Sequence, residues 1–393
     1  MDSPRSCLGV PRERSGEARV AIVPGVVPRL RQAGFDILIE SEAGLAAGFS
    51  DEAYVEHGAE IGTREAAFAA DIVVQVRTCG ASPLTSQELD RLRPDQVIVG
   101  ISDALGSPRE IERAASRKAM VFALDLLPRI SRAQLMDVLS SQSTVVGYKA
   151  VVIAAERLPK MFPMLTTAAG TVPPAQVFVV GAGVAGLTAI ATARRLGAVV
   201  QAYDVRPAAQ EDIESLGARA LLLPLSPGDA EDRSGYAREL GEAFYRRQQE
   251  LIAQVVAGVD VVISTALIPG KKAPVLITAE AVERMQPGCV IVDCAAERGG
   301  NCELTRPNRR VITENHVTIL GPTNIASTVP HEASLMYAKN VTAFLFNMVK
   351  DGKLEIDLED EIVRGTLVTR GGEIVHKRVL EALAEAQHDE GTA

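Results

Sequence analysis

The chain has 393 residues, a formal net charge of −9 and an isoelectric point near 5.3. At roughly 150 residues per domain, this length predicts two or three domains. Hydrophobic residues make up 47% of the chain and charged residues 23%, which is typical of globular proteins and excludes a mainly disordered or collagen-like chain. The excess of acidic residues argues against nucleic acid or anionic lipid as a partner.

The five cysteines form no C-x-x-C pair, so the sequence predicts neither a zinc site nor a disulfide framework, and we expect no bound metal. This cysteine usage fits a reducing, cytoplasmic environment. The N-terminal segment has charged residues without the apolar core of a signal peptide. Prolines and glycines interrupt the uncharged run 161–193, so we expect no direct insertion into a membrane.

Short apolar runs alternate with helical stretches in two series. The first series has strands predicted at CLGV (7–10), FDILIES (35–41), ADIVVQV (70–76), QVIVGIS (96–102) and MVFALDL (120–126), with a helix through GVVPRLRQAG (25–34). The second series has QVFVV (176–180), AVVQAYD (198–204), ARALLLPL (218–225), VDVVIST (259–265), CVIVDCA (289–295) and VTILG (317–321). Both series are typical of βαβ units, so we predict an α/β fold with two Rossmann-like domains and parallel sheets.

Two long helices are predicted to join these domains. Apolar residues recur at helical spacing from Ser131 to about Leu158, which predicts one helix that bridges the two sheets. A comparable helix is predicted from Pro330 through Lys350, and too few residues follow it to form a third core. We therefore expect a discontinuous first domain (1–130 plus 330–393), a second domain (131–329), and a nucleotide cleft between them.

Residues 226–249 are polar, charge-dense and longer than an ordinary connection. One interpretation is a surface loop followed by a solvated helix. The other is a mobile lid in which Tyr236, an aromatic residue in a charged loop, closes on a bound nucleotide.

The segment VFVVGAGVAGLTAIATARRLGAVVQAYD carries G-x-G-x-x-G at Gly181, Gly183 and Gly186, between an apolar strand and an alanine-rich helix. In a dinucleotide site the first glycine permits the turn, the second lets the backbone approach the pyrophosphate, and the third lets the helix pack on the strand. Asp204 lies near the offset expected for a carboxylate that binds the adenosine ribose, and it favours NAD(H) over NADP(H) by repelling a 2′-phosphate. Arg206 weakens that preference, because an arginine there can also serve a phosphate.

The five histidines form no recognisable acid/base pair with a cysteine or serine. Dehydrogenases that oxidise an alcohol or an amine need a group that accepts a proton, whereas a hydride passed between two nicotinamides needs none. This scarcity favours transfer from dinucleotide to dinucleotide, although a lysine, a tyrosine or a carboxylate remains an alternative base.

Gln134 has two interpretations. Ser131 and Gln134 fit a capping box in which Ser131 is the helix N-cap. Alternatively, Gln134 belongs to a polar stripe on one face of the long helix, with Asp137, Ser140 and Ser141. Ribose hydroxyls and a nicotinamide carboxamide would satisfy such a stripe, and Arg129 would add hydrogen-bond donors.

Five segments, PRISRAQLMDVLSSQSTVVGYKAV, FPMLTTAAGTVPPAQVFVVGAGVAGLTAIATARRLGA, DVRP, STALIPGKKAPVLIT and GGNCELT, resemble the NAD(H)-binding component of proton-translocating NAD(P) transhydrogenases, and the resemblance covers nearly the whole chain. It implies a catalytic set in which Gln134 bridges to the incoming nucleotide and Arg129 orients the nicotinamide, together with Asp137 and Ser140. The cofactor-binding residues it implies are these four with Gly181, Ala182, Gly183, Val184, Gly186, Asp204, Val205, Arg206, Tyr236, Ala266 and Leu267.

The segments PRERSGEARVAIVPGVV and EAGLAAGFSDEAYVEHGAEI also resemble alanine dehydrogenases, a related family. The catalytic histidine of that family corresponds to Ser102, its substrate lysine to Arg77 and its active-site aspartate to Glu297. Only the arginine at Arg19 persists. An amino-acid dehydrogenase is therefore the less favoured alternative.

The transhydrogenase resemblance implies an enzyme of the Re/Si-specific, proton-translocating type that is active only with partner subunits. NADP(H) would be bound by a partner domain, and a membrane subunit would conduct protons. The chain itself would be a homodimer in the cytoplasm, peripheral to the inner membrane through its partners. A non-catalytic NAD-binding sensor is the alternative from a different functional class.

Overall fold

The computed structural model describes residues 5–14, 16–82, 84, 86–221, 242–268, 270–350 and 353–391. These residues group into two compact units. Unit 1 holds the residues up to Gln142 and those from Ser327 onward, and unit 2 is Ser143–Ala326. Residues 131–142 belong to unit 1, whereas the sequence pattern predicted that the second domain begins at residue 131.

The described strands are β1 (Ser6–Val10), β2 (Phe35–Glu40), β3 (Glu60–Gly62), β4 (Ile72–Arg77), β5 (Val97–Ile101), β6 (Met120–Ala123), β7 (Leu165–Thr167), β8 (Gly170–Val172), β9 (Gln176–Val180), β10 (Val199–Tyr203), β11 (Arg219–Ala220), β12 (Val261–Ser264), β13 (Val290–Asp293), β14 (Arg310–Ile312), β15 (Thr318–Leu320), β16 (Val349–Lys350), β17 (Lys353–Leu354), β18 (Leu367–Arg370) and β19 (Glu373–Ile374). Each predicted strand segment overlaps one of these strands, although residues 222–225 of the segment 218–225 lie outside the described residues, and the remaining strands were not predicted.

The described α-helices are α1 (Val27–Gln32), α2 (Asp51–Glu56), α3 (Arg64–Phe68), α4 (Ser86–Arg91), α5 (Pro108–Ala115), α6 (Val138–Arg157), α7 (Val184–Arg195), α8 (Ala209–Ser215), α9 (Glu242–Val256), α10 (Ala279–Glu283), α11 (Pro330–Asn347), α12 (Glu361–Thr366) and α13 (Lys377–Gly391). Short 3-10 helices span Pro24–Val26, Leu45–Ala47, Leu124–Leu126, Ser131–Met136, Ala296–Arg298 and Ile325–Thr328.

Unit 1 is built on an eight-stranded sheet in the order β19-β18-β6-β5-β4-β1-β2-β3. Strands β1 to β6 pair in parallel, and β18 from the C-terminal region of the chain pairs antiparallel with β6. The apolar run of β6 is buried throughout, as expected for a parallel sheet that is covered on both faces.

Unit 2 is built on a seven-stranded sheet in the order β11-β10-β9-β12-β13-β15-β14, in which only β14 pairs antiparallel. This is the order of a doubly wound dinucleotide-binding fold. The order reverses between β9 and β12, and such folds bind ligands at the carboxyl ends of the strands at that point. The glycine motif follows β9 directly.

The predicted single helix from Ser131 to Leu158 is wrong. The 3-10 helix ends at Met136, Asp137 is extended with φ −72° and ψ 90°, and α6 begins at Val138. Leu135, which fitted the apolar pattern, is 77% exposed. The polar stripe of Gln134 with Asp137, Ser140 and Ser141 is therefore not one face of one helix, because the chain changes direction at Asp137.

The uncharged run 161–193 contains the hairpin β7–β8, the strand β9 and most of α7. Within the described part of the chain, α6 is long and apolar enough to cross a membrane by length and composition alone, a criterion that core helices of soluble proteins also meet. Residues 242–249 lie on α9, which agrees with the interpretation of a loop followed by a helix, whereas 226–241 with Tyr236 lie outside the described residues.

Candidate dinucleotide site

The glycine motif connects β9 to α7 in unit 2. Gly181 has a φ of +93°, and a Cβ on Gly186 would lie 1.8 Å from the carbonyl oxygen of Gly181, so both positions require glycine. Among the residues that the structure describes, none lies within 4 Å of the position of a Cβ on Gly183. The glycine at 183 thus leaves open the space that a pyrophosphate needs when it approaches the backbone.

The N-terminus of α7 fits an anion. Gly183 is the N-cap of this helix, and no side chain caps the helix at this end. Ala182 is buried beneath the loop, and Val184 in the first turn is 40% exposed. Because the first N–H groups of a helix have no partner within the helix and carry a partial positive charge, this end suits a phosphate group.

Asp204 follows β10 and bonds to the glycine loop. Its Oδ2 accepts from the N–H of Ala182 at 2.7 Å. The guanidinium of Arg206 donates to both carboxylate oxygens, from Nε at 2.9 Å and from Nη2 at 3.1 Å. Val205 lies between the two and is half-buried. Asp204, which favours NAD(H) in the sequence pattern, is thus paired with Arg206, which weakens that preference.

The segment after β12 lies beside the glycine loop. Thr265 donates from Oγ1 to the carbonyl oxygen of Gly181 at 3.1 Å, and the nitrogen of Ala266 lies 3.2 Å from the position of a Cβ on Gly181. The side chain of Asn301 accepts from the N–H of Ala266 at 3.1 Å and donates to its carbonyl oxygen at 2.8 Å. Leu267 follows and is 44% exposed. These bonds hold Ala266 next to the motif.

Asp293, at the end of β13, holds the loop that carries Asn301. Its fully buried carboxylate accepts from Ser264 Oγ at 3.0 Å, from the N–H of Cys302 at 2.9 Å and from Thr305 Oγ1 at 2.6 Å. A buried carboxylate is stable when its acceptors are filled in this way. The segments STALIPG and GGNCELT stood out in the sequence, but Thr265 and Asn301 were missed, because hydrogen bonds between loops from different strands leave no local pattern.

Gly147 on α6 was also missed. A Cβ on it would lie 2.1 Å from the carbonyl oxygen of Ala185 on α7, so only glycine permits this close approach of the two helices. The glycine interrupts an otherwise β-branched and apolar stretch of the helix. That interruption is the signal that could have identified it.

In unit 1, Arg129 and Gln134 are exposed. The capping-box interpretation of Gln134 is wrong, because Ile130 is the N-cap of the 3-10 helix and no side chain caps it. The cap of α6 is instead Asp137, whose Oδ1 accepts from the N–H of Ser140 at 2.9 Å and whose Oδ2 accepts from Ser140 Oγ at 2.5 Å. Two of the predicted site residues thus bond to each other.

Three of the positions that correspond to the alanine dehydrogenase site are buried or form hydrogen bonds within the protein. Arg19 is buried and donates to Glu17 from Nε at 2.7 Å and to Gln142 from Nη1 at 2.7 Å. Ser102 is fully buried, and Arg77 donates from Nε to the carbonyl oxygen of Ala81 at 3.0 Å. Ser102 therefore has no solvent-exposed hydroxyl with which to replace a catalytic histidine.

Glu297, the fourth of these positions, lies in unit 2. Its Oε1 accepts from the N–H of Asn324 at 2.6 Å. The carboxylate of Glu297 thus fixes the loop at Asn324 in unit 2, which is a structural role.

Glu13 is a half-buried acid near Arg19 in unit 1. Its Oε1 accepts from the N–H of Val76 at 2.6 Å. Burial, with a smaller effect from the charge of Glu17, raises the pKa of Glu13 to about 8, against the opposing effects of backbone N–H groups and of Arg19. Glu13 therefore holds a proton at neutral pH, and no sequence pattern singled it out.

The fold and the glycine loop define a two-unit α/β protein with a dinucleotide-binding unit. A family model described as alanine dehydrogenase/PNT, N-terminal domain, matches residues 9–146. A second model, described as alanine dehydrogenase/PNT, C-terminal domain, matches residues 150–377. The chain belongs to the alanine dehydrogenase/PNT family.

Individual relatives separate the two branches of this family. The chain is 41% identical over 385 residues to NAD(P) transhydrogenase subunit alpha of Haemophilus influenzae, covering 97% of this chain and 74% of that protein. It is 27% identical over 391 residues to alanine dehydrogenase of Bacillus subtilis, covering 96% and 94%. The crystal structure of transhydrogenase from Sinorhizobium meliloti matches with a TM-score of 0.83 and 42% identity, covering 94% of this chain and all of that one. The transhydrogenase branch is the nearer of the two.

Proposed function

We propose that the chain is the NAD(H)-binding component of a proton-translocating NAD(P) transhydrogenase. The observation that carries the proposal is the loop at 181–186, where Gly181 and Gly186 are sterically required. Gly183, the third glycine, is the N-cap of α7, and none of the described residues would contact a Cβ there. The similarity to transhydrogenase alpha subunits over nearly the whole chain supports the same function.

Unit 2 binds the dinucleotide in this proposal. The N-terminus of α7 and the backbone at Gly183 bind the pyrophosphate, and Asp204 with its neighbours Val205 and Arg206 binds the adenosine ribose. Ala266, which Asn301 fixes, and the following Leu267 contact the nucleotide beyond the glycine loop. When bound, NADH supplies a hydride at its nicotinamide ring, and the residues of the chain position that ring.

Further residues serve the nicotinamide end in this proposal. Arg129 orients the carboxamide, and Asp137 and Ser140 bond to ribose hydroxyls. Gln134 is exposed, so its amide is available to a nucleotide that arrives on another domain. These assignments follow the resemblance to transhydrogenases.

The reaction is hydride transfer to NADP⁺ on a partner domain, of the Re/Si-specific type, and it requires partner subunits, one of which conducts protons through the membrane. The chain is then cytoplasmic and peripheral to the inner membrane. Direct transfer needs no protein group to accept a proton. An alanine dehydrogenase does need one, and the buried Ser102 does not supply it. A sensor that binds NAD without catalysis would not need the exposed Gln134.

The hairpin β7–β8 supports a homodimer. Among the strands that the structure describes, β7 and β8 pair only with each other, and all their residues are exposed. The preceding Met161 and Met164 are 51% and 61% exposed. Exposed apolar patches of this kind are typical of protein interfaces. Sedimentation should show a dimer that Met164→Asp weakens, and a wild-type monomer at micromolar concentration would contradict this contact.

Calorimetric titration with NADH tests the proposal. Gly183→Ala should fold normally and bind NADH at least about tenfold more weakly, because the new methyl group occupies the space of the pyrophosphate. Gly25→Ala in unit 1 is the matched control, since its Cβ also meets nothing within 4 Å, and its affinity should not change. A wild-type chain that does not bind NADH, or a Gly183→Ala variant that binds as wild type, would overturn the proposal.

A further inference from the structure

We propose that the outer edge of the sheet in unit 2, at residues 309–312 (the β14 edge), binds an extended acidic segment of a partner protein as an added strand. The segment carries an acidic residue and an apolar residue two positions apart. The groups of the β14 edge lie outside the proposed dinucleotide site, so this docking surface is independent of the proposed function.

The backbone of β14 is open on one side. Among the described strands, β14 comes last in the order of its sheet and pairs only with β15. The N–H of Thr318 on β15 donates to the carbonyl oxygen of Cys289 at 2.9 Å, on the side away from β14. Because backbone groups alternate between the two sides of a strand, the next residue of β15 faces β14, where its partner is Val311. The N–H and C=O groups of Arg310 and Ile312 therefore point to the open side.

Two arginines and one apolar side chain lie uncovered at the β14 edge. Arg310 and Ile312 project from the same face of the strand, whereas Val311 on the other face packs against the core of unit 2. Arg309 and Arg310 are exposed, and Ile312 is 54% exposed. Within the described part of the chain, neither arginine forms an ion pair or a side-chain hydrogen bond. The edge therefore offers open backbone groups, positive charge and an apolar side chain together.

Charged residues that flank the β14 edge in the chain do not neutralise it. Arg306 donates to the carbonyl oxygens of Glu303 and Thr305 at 3.2 and 2.8 Å, and the carboxylate of Glu303 accepts from the N–H of Ala279 at 2.8 Å. Glu314, in the turn after β14, is exposed. Three arginines against two glutamates leave this region positive on a chain whose net charge is −9, so it favours an acidic partner.

A partner protein fits the β14 edge better than a second copy or a membrane does. Pairing with a copy of β14 would gather four unpaired arginines, and like charges repel. Lipid headgroups present no row of N–H and C=O groups, and lipid-binding clusters hold about four to eight basic residues. An added strand supplies backbone partners, and an acidic residue opposite Arg310 with an apolar residue opposite Ile312 completes the contact.

Binding of the labelled peptide TETVTETVT to the full chain, measured by fluorescence anisotropy, tests this surface. The peptide places glutamate and valine on one face of a strand, and TKTVTKTVT, with lysine for glutamate, is its control. Arg309→Glu/Arg310→Glu reverses the charge of the edge. Arg195→Glu/Arg246→Glu makes the same change at exposed arginines of α7 and α9 and is the matched control. Ile312→Pro removes an N–H that faces the open side and leaves the bonds between β14 and β15 in place.

Wild type should bind TETVTETVT at least about tenfold more tightly than TKTVTKTVT. Arg309→Glu/Arg310→Glu should reverse this preference, and Arg195→Glu/Arg246→Glu should behave as wild type. Ile312→Pro should weaken binding of TETVTETVT at least about tenfold, because one backbone donor and the apolar side chain are lost. If Ile312→Pro does not fold, amide hydrogen exchange at Ile312 of wild type replaces it, and bound peptide should slow that exchange.

A wild-type chain that does not bind TETVTETVT at millimolar peptide, or that binds both peptides equally, would overturn the docking surface. Unchanged peptide affinity in Arg309→Glu/Arg310→Glu would do the same. Phosphatidylglycerol vesicles that bind wild type but not this variant, in the absence of peptide binding, would assign the β14 edge to a membrane instead. NADH affinity should stay at the wild-type value in these variants, so failure of the docking surface leaves the proposed function standing.

Discussion

The side chain of Asn340 on α11 donates from Nδ2 to the carbonyl oxygen of Leu135 at 2.8 Å. Its Oδ1 accepts from Ser141 Oγ at 2.7 Å. One amide therefore bonds to the chain on both sides of the break at Asp137. A second anchor is Arg132, which donates to both oxygens of Asp360 at 2.7 and 2.8 Å and holds the pKa of that carboxyl below its usual range. These bonds fix the chain on both sides of the exposed Gln134, at Arg132 and at Leu135.

We expect Asn340 to act as a positioning residue for Gln134. Asn340→Ala should slow hydride transfer to an added NADP(H)-binding domain by about tenfold and change NADH affinity less than about threefold. Stopped-flow transfer rates and calorimetric titration measure the two quantities. Thr342→Val is the control, since the hydroxyl of Thr342 donates within α11, to the carbonyl oxygen of Ala338. Equal slowing of hydride transfer by both substitutions would show that they act by destabilising α11 and not by displacing Gln134.

The cap formed by Asp137 gives a prediction about stability. Asp137→Ala should lower the free energy of unfolding by about 1 kcal/mol, because the N–H of Ser140 loses its acceptor, whereas Asp137→Asn should retain most of the cap. Urea unfolding measures this difference. If Asp137 also binds the nucleotide through its charge, Asp137→Asn should weaken NADH binding although it remains as stable as wild type. Unchanged stability in Asp137→Ala would contradict the cap.

Gln134→Asn should leave stability unchanged, because Gln134 is exposed and takes no part in a helix cap. The shorter side chain should slow transfer by roughly tenfold, or about 1.4 kcal/mol of transition-state stabilisation, and keep NADH affinity within a few-fold. Thermal unfolding, titration and single-turnover kinetics measure the three quantities. A transfer rate per folded molecule equal to that of wild type would remove Gln134 from the site.

Glu13 should make stability depend on pH. Between its unfolded value of 4.5 and a folded value of about 8, the folded protein keeps a proton that the unfolded chain releases, so the free energy of unfolding should fall as pH rises through this range. Glu13→Gln should flatten this slope, because the amide oxygen still accepts from Val76 without a charge. Urea unfolding from pH 5 to about 8.5 measures it, with the exposed Glu65→Gln as control. A wild-type slope in Glu13→Gln would show that another group titrates.

The sequence predicted eleven of the fifteen described strands in the two sheets, and the glycine loop, because each depends on a local pattern. The apolar runs predicted β4 and β9, Gly181 is required by its positive φ, and Gly186 is required by its close approach to the carbonyl oxygen of Gly181. The break at Asp137 was not predictable, because Leu135 and Val138 keep a helical spacing across it although Leu135 is exposed. Asn301 and Asn340 were missed because each acts on a residue far away in the chain.

The most direct test follows a deuterium label from NADH to NADP⁺. The full chain is mixed with an NADP(H)-binding domain of a transhydrogenase, NADP⁺ and NADH deuterated at the transferred position, and the NADPH formed is analysed by mass spectrometry. The proposed function predicts NADPH that carries the deuterium and no reduction of NAD⁺ when alanine is the only donor. NADPH that carries hydrogen from solvent, no NADPH at all, or NAD⁺ reduction by alanine would contradict it.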